Sequence, residues 1–187
     1  MELLQKLWEL EWAIIIPVSI ITSFIFLLFI ALLRPIVTVS NLILHSEITN
    51  RKTNEKRKVF KIKVVNWTMA NIYEVKIQLY LATLYGDGHG TSSVRYQDIS
   101  MVVSEFMYLP SMLRSEGREH AEYAQIFMTA KDLEELWTNE SQYLEFRMVA
   151  KHGLSGFNKV ITKRFTDRDV IKAGKFIYGT STKCKNS

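Results

Sequence analysis

Hydrophobic and polar positions fall into two regimes along this chain. From Ala13 to Leu33 there is no Asp, Glu, Lys or Arg, and Ile, Leu, Phe and Val dominate. A helix of about 21 residues rises ~31 Å, close to the thickness of a bilayer's hydrocarbon core. The run therefore predicts one transmembrane helix. From Val59 the period changes to two. Phe60, Ile62 and Val64 alternate with Lys61 and Lys63, and Val75, Ile77, Leu79 and Leu81 alternate with Lys76, Gln78 and Tyr80. Such alternation marks strands buried on one face. Further strands are expected near residues 95–103, 122–128, 143–151, 157–164 and 175–178. One short helix, 130–137, is expected among them, with Thr129 as its cap and Asp132 at the capping-box position.

About seven short strands separated by polar turns predict a β-sandwich. The expected fold is thus a single transmembrane α-helix followed by a mainly β, immunoglobulin-like sandwich domain in the cytoplasm with one short helix. Residues 1–34 form the interfacial segment and membrane helix, 35–58 a basic juxtamembrane linker, and 59–187 the sandwich. The stretch from Pro35 to Leu44 reads equally as a strand or as an interfacial helix. Pro17 falls inside the membrane helix, where a missing N–H favours a bend.

Charge refines the reading of the apolar run. The segment before it carries Glu2, Lys6, Glu9 and Glu11, and Leu33-Arg34-Pro35 follows it. A secretory signal would have a basic start and a small-residue cleavage site. A core helix apolar on all sides would need a larger domain to hide it. Arg34, Arg51, Lys52, Lys56, Arg57, Lys58, Lys61 and Lys63 follow the span, against Glu47 and Glu55. By the positive-inside rule the C-terminal domain is expected in the cytoplasm. The single cysteine, Cys184, suits a reducing compartment.

The formal net charge is +5 and the pI about 9.2. Basic residues beside a membrane pair with anionic lipid, so Arg34, Lys56, Arg57 and Lys58, with Trp8 and Trp12 in the aromatic belt, are the candidate membrane-surface residues. A later basic set, Lys159, Lys163, Arg164, Arg168, Lys172 and Lys175, is not interleaved with stacking aromatics. Nucleic acid is therefore not an expected partner.

Candidate chemistry is sparse. Gly86–Gly90 lacks the Lys-Ser/Thr ending of a phosphate-binding loop and reads as a hairpin. His45, His89, His120 and His152 are scattered, so neither a metal site nor a cofactor is expected, Asp87 with His89 included. Ser155, in Gly153-Leu154-Ser155-Gly156, lacks the spacing of a nucleophile elbow. Ser19, Thr22 and Ser23 are the polar residues of the span and share one helix face. They either face a lumen or neighbouring helices, or bond back to their own helix. Arg147 and His152, with four residues between them, match the R-x4-6-H spacing of HEPN ribonucleases, in which a histidine and a cation promote attack of a 2′-hydroxyl on phosphate. Yet Leu144, Phe146, Met148 and Ala150 alternate with polar residues here, which reads as a strand arginine and a turn histidine.

One membrane helix, a small cytoplasmic domain and the Arg147/His152 pair together resemble the small accessory transmembrane protein of type VI-B CRISPR loci. The resemblance implies a single-pass protein of the bacterial inner membrane that enhances RNA-guided antiphage defence. It further implies either a membrane-tethered HEPN-like nuclease or a homo-oligomeric pore, an octamer being one such ring. Partners implied are further copies of the chain, anionic lipid and the RNA-guided effector. The stretches Val59–Asn66 and Asp169–Phe176 are also similar to strand edges in the cytoplasmic sandwich of inward-rectifier potassium channels, without that family's selectivity filter. A lone helix encloses no water and cannot conduct. The leading expectation is therefore a non-enzymatic oligomeric pore that depolarises the membrane. A membrane adaptor for a cytoplasmic partner is the further alternative.

Overall fold

The structure, a computed structural model, describes residues 2–49, 54–86, 92–113 and 121–185, with side chains from Ala13 onward except those of residues 31, 32 and 92. A single helix, α1 (Glu2–Leu32), runs through Pro17. Its Ala13–Ile30 portion is long and apolar enough to cross a membrane, and none of it is buried. That exposure removes the core-helix alternative, because no part of the domain covers these side chains.

Two sheets follow. In the first, β1 (Val37–Val39) and β2 (Ile43–Thr49) lie end to end along one side of β3 (Lys56–Asn66). β7 (Ala124–Thr129) pairs with the other side of β3. β10 (Ile171–Ala173) adds a parallel edge to β2. In the second, β5 (Ser92–Ile99) and β6 (Glu105–Leu109) share one side of the long β4 (Ile72–Gly86). β8 (Gln142–His152) takes the other side, and β9 (Asn158–Phe165) closes the edge. β11 (Lys175–Phe176) and β12 (Cys184–Lys185) form a separate two-stranded ribbon.

The inward positions of both sheets meet in one core. Phe60, Ile62, Val64 and Phe127 come from the first sheet, and Ile77, Leu79, Leu144, Phe146, Met148 and Phe165 from the second. Phe127 bridges the layers, edge-on to Phe106 at 5.3 Å and tilted against Phe146 at 6.3 Å, the offset geometry aromatic quadrupoles favour. A short helix, α2 (Leu133–Leu136), closes one end of the sandwich with Leu133 and the fully buried Trp137, whose indole N–H donates to the Gln142 carbonyl at 3.0 Å.

The helix followed by a β domain is the architecture the hydrophobic pattern predicts. Several details differ. Within the expected linker 35–58, residues 37–39, 43–49 and 56–58 are strand: Ile43, Leu44 and Val39 are buried, and β2 pairs with β3 over six positions. The short helix is capped by Asp132, whose carboxylate accepts from the N–H groups of Glu134 and Glu135. Thr129 instead belongs to β7 and donates to the Ser100 carbonyl. The strand expected at 95–103 ends at Ile99, and β6 is an additional strand. β4 carries a bulge between Tyr73 and Lys76, with Glu74 at φ 50°, which lets one strand serve β6 and β8 at different registers. On the outer face of the first sheet, Lys63 is 2 % exposed and donates to the carbonyls of Ile177 (2.6 Å) and Ser181 (2.8 Å). This buried ammonium fastens the C-terminal segment to the sheet.

Candidate functional site

The feature that joins the two parts of the molecule is the exit of α1. The last carbonyls of a helix have no intrahelical donors, and here the sandwich supplies donors to the segment that leaves it. Ser155, in the β8–β9 turn, donates its hydroxyl to the Leu33 carbonyl at 2.6 Å, and the Lys159 ammonium donates to the Pro35 carbonyl at 3.0 Å. A cation beside a helix C-terminus is also favoured by the helix dipole. The Ile36 N–H donates to the Thr68 hydroxyl, and the Trp67 N–H to the Ile36 carbonyl, both at 2.8 Å. Helix and sandwich are therefore bonded together over residues 33–36.

A buried polar network stiffens this end. The Asn66 amide donates to the carbonyls of Leu109 (3.2 Å) and Pro110 (2.9 Å) and accepts from the Thr68 N–H at 2.9 Å. Ser111 donates its N–H to Asn71 and its hydroxyl to the Thr68 carbonyl. Asn66 and Ser111 are fully buried, so each of these groups needs the partner it has. Sequence reasoning missed this set. Small polar residues after a strand signal a turn but say nothing of which turns will meet.

His152 closes the same end. It is 3 % exposed, and its Nδ1 accepts from the N–H groups of Leu154 (3.3 Å) and Ser155 (3.2 Å). Nδ1 therefore carries no proton, and the neutral ring holds its proton on Nε2. Burial holds the imidazole below its ordinary pKa. The adjoining Gly153 is required by proximity. A Cβ there would stand 2.6 Å from the Asn71 carbonyl oxygen and 2.8 Å from the Tyr73 ring, inside any tolerable contact.

Arg147 stands elsewhere. Leu144, Phe146, Met148 and Ala150 face the core, and period-two alternation puts His152 on that face and Arg147 on the outer one. Five residues of strand also separate the two by ~17 Å, so the HEPN constellation is not assembled. Arg147 is packed between the rings of Tyr80 (5.0 Å) and Tyr96 (4.8 Å) and hydrogen-bonded to Glu145. Glu145, 1 % exposed, also accepts from Arg164 Nε at 2.7 Å, and Arg164 lies over Tyr143. Burial alone would raise the Glu145 pKa, but hydrogen bonds from Arg164 and Arg147 outweigh it and hold the carboxyl below its ordinary value. This cross-strand ladder spans β5, β4, β8 and β9, and its groups satisfy one another.

The other expected site residues divide. Ser19 and Thr22 donate to the Ile15 and Val18 carbonyls, both at 2.8 Å, so these hydroxyls bond back to their own helix. Ser23 is exposed beside them. Arg34 is exposed at the helix exit. Lys56, Arg57 and Lys58 are not beside it: they begin β3, whose other end, Asn66, pairs with Val37 near the exit. Eight to ten strand residues place them about 26–33 Å away, beyond the reach of a surface potential. Lys58 instead bonds Glu134. The side chains of Trp8 and Trp12, the loop beyond Gly86 with Asp87 and His89, and His120 lie outside the described residues. Among the described residues no group of His, Cys, Asp and Glu could hold a metal ion.

No protein-family model and no curated protein matches the chain. Among solved structures, the chain is similar to one titled "X-ray structure of Northeast Structural Genomics Consortium target SoR45", at TM-score 0.33 and 14% identity, covering 72% of this chain and 87% of that one. A likeness so distant bears neither on fold nor on activity.

Proposed function

We propose that this chain is a single-pass protein of a bacterial inner membrane, with its sandwich in the cytoplasm, and that a ring of copies forms a pore. Opening of that pore permeabilises or depolarises the membrane and supports antiphage defence beside an RNA-guided CRISPR effector. The observation that carries the reading is the fully exposed apolar helix bonded directly to a folded domain. The exposed surface needs lipid or other helices to cover it. The bonded exit means that whatever positions the sandwiches also positions the helices.

One helix cannot enclose water, so conduction requires several copies in a closed ring. The hydroxyl oxygens of Ser19 and Thr22 keep a free lone pair while back-bonded, and with Ser23 they supply the polar face that a lumen needs. The basic residues after the span support the cytoplasmic orientation. The separation of Arg147 from His152 gives the nuclease alternative no support.

The test is the oligomeric state of the full chain in mild detergent, together with dye release from vesicles on reconstitution. A discrete oligomer that releases dye supports the reading. A monomer that never releases dye refutes it.

A further inference from the structure

The end of the sandwich that meets α1 carries the most exposed apolar side chains of the domain. Outside α1, the three most exposed are Met107 (87 %), Met69 (83 %) and Leu154 (76 %). Met69 lies in the β3–β4 connection that bonds Ile36, and Leu154 in the turn that bonds Leu33. Met107 shares a shallow depression with His152, Gly153 and Gly156 of that same turn. Ile36, Trp67 and Phe157, between 40 % and 59 % exposed, complete the set. An apolar patch on one end of a soluble domain signals a binding surface, and its location says what binds there.

From this geometry we propose that the α1-proximal loops of the sandwich dock into the headgroup region of the bilayer, with Met69, Met107, Leu154 and Phe157 as the inserted side chains. The inference rests on α1 spanning that bilayer. Residues 33–36 are hydrogen-bonded to these loops, so the domain cannot hang away from the membrane on a tether. Among the described residues at this end, Arg34, Lys151 and Lys159 outnumber Glu74 and Glu122, and Lys151 pairs with Glu74 at 3.0 Å. A surplus of cations around apolar tips suits anionic headgroups. The lipid face is therefore this end of the domain, and not the basic start of β3 some 30 Å away.

The experiment uses the full chain with Cys184→Ser as background and a single cysteine at Leu154, Met69 or, as the distal control, exposed Lys131. Each is labelled with an environment-sensitive fluorophore in vesicles of phosphatidylethanolamine and phosphatidylglycerol. A lipid carrying a shallow doxyl group and aqueous iodide serve as quenchers. The expected result is loss of most emission at 154 and 69 to the doxyl lipid and little to iodide, with the reverse at 131. Iodide quenching at 154 and 69 equal to that at 131 overturns the proposal. So does protection from both quenchers, which would mean that another protein surface covers the loops. Extraction with alkaline carbonate separates the two readings. Release of the chain refutes the spanning helix itself. Retention with iodide-accessible loops refutes the docking alone.

Discussion

Replacing Glu145 by Gln tests the electrostatics of the outer ladder without changing its shape. The carboxylate is 1 % exposed and accepts from both Arg147 and Arg164. Gln keeps one oxygen acceptor, but its NH2 must then face a guanidinium that can only donate. A hydrogen bond to a charged group contributes about 1.5–3 kcal/mol. The Arg147 side chain is 34 % exposed, so water replaces part of what is lost, and the low end applies to this bond. Arg164, at 61 % exposure, is largely screened and adds little. The expected loss is therefore about 2 kcal/mol, or roughly 4–8 °C in Tm for a domain of this size.

The same substitution has a pH signature. Glu145's folded pKa lies below its unfolded value, so its contribution is fully present above the unfolded pKa of about 4.3 and is lost as pH falls through the folded value. Melting wild type and Glu145→Gln in detergent across that acid range should show the Tm gap closing as pH falls. A gap that is absent at neutral pH, or that persists undiminished at the acid end, would refute the account of this cluster.

Three other outcomes follow. Trp137→Ala should cost about 3–5 kcal/mol in urea unfolding, since it empties a fully buried site and leaves the Gln142 carbonyl without its indole donor. Gly153→Ala should cost about 1–3 kcal/mol through overpacking against Asn71 and Tyr73; hydrogen exchange should rise in the 152–157 turn while the α2 region stays protected. His152 is held below its ordinary pKa by burial, so the unfolded chain binds its proton more readily, and stability should fall as pH drops below about 6.5, levelling off once the folded group also protonates. His152→Gln should flatten that slope, and a slope left unchanged would show that another group titrates there.

The elements legible in the sequence are those whose burial is one-sided and regular. β3 alternates apolar and basic residues from Phe60 to Val64, β8 alternates in burial from Phe146 to His152, and α1 lacks charge over its whole apolar run. β1 and β2 lie inside the expected 35–58 linker. They are interrupted at Ser40–Leu42, and β1 finds its partners, Val64–Asn66, only at the far end of β3. The same limit hid the junction. Ser155 and Leu33 are 122 positions apart, and nothing local to Gly153-Leu154-Ser155-Gly156 announces that its hydroxyl will meet a helix terminus. Lys56–Lys58 show the converse error. Proximity in sequence to the span suggested proximity to lipid, but an extended strand consumes that distance at about 3.3 Å per residue in the opposite direction.

The junction also constrains how the two parts can move. A free chain of four residues would let the sandwich pivot about the helix at little cost. Here the backbone of residues 33–36 makes four hydrogen bonds to side chains and one to backbone, drawn from the loop after β3 and from the β8–β9 hairpin. Those two segments are themselves joined by the Gly153 N–H to the Asn71 carbonyl at 3.0 Å, and the β3–β4 loop is braced by Asn66 and Ser111. Bending at residues 33–36 must therefore break several bonds at once, each worth about 0.5–1.5 kcal/mol. Rotation of the sandwich as a body is the softer motion, and it carries the helix with it. Ser155→Ala together with Lys159→Ala should loosen the coupling, freeing residues 33–35 while Ile36 stays bonded to Thr68 and Trp67, leaving the melting of the sandwich nearly unchanged while reducing any dye release that depends on the junction. Full release by that double variant would show that the helix acts independently of the domain.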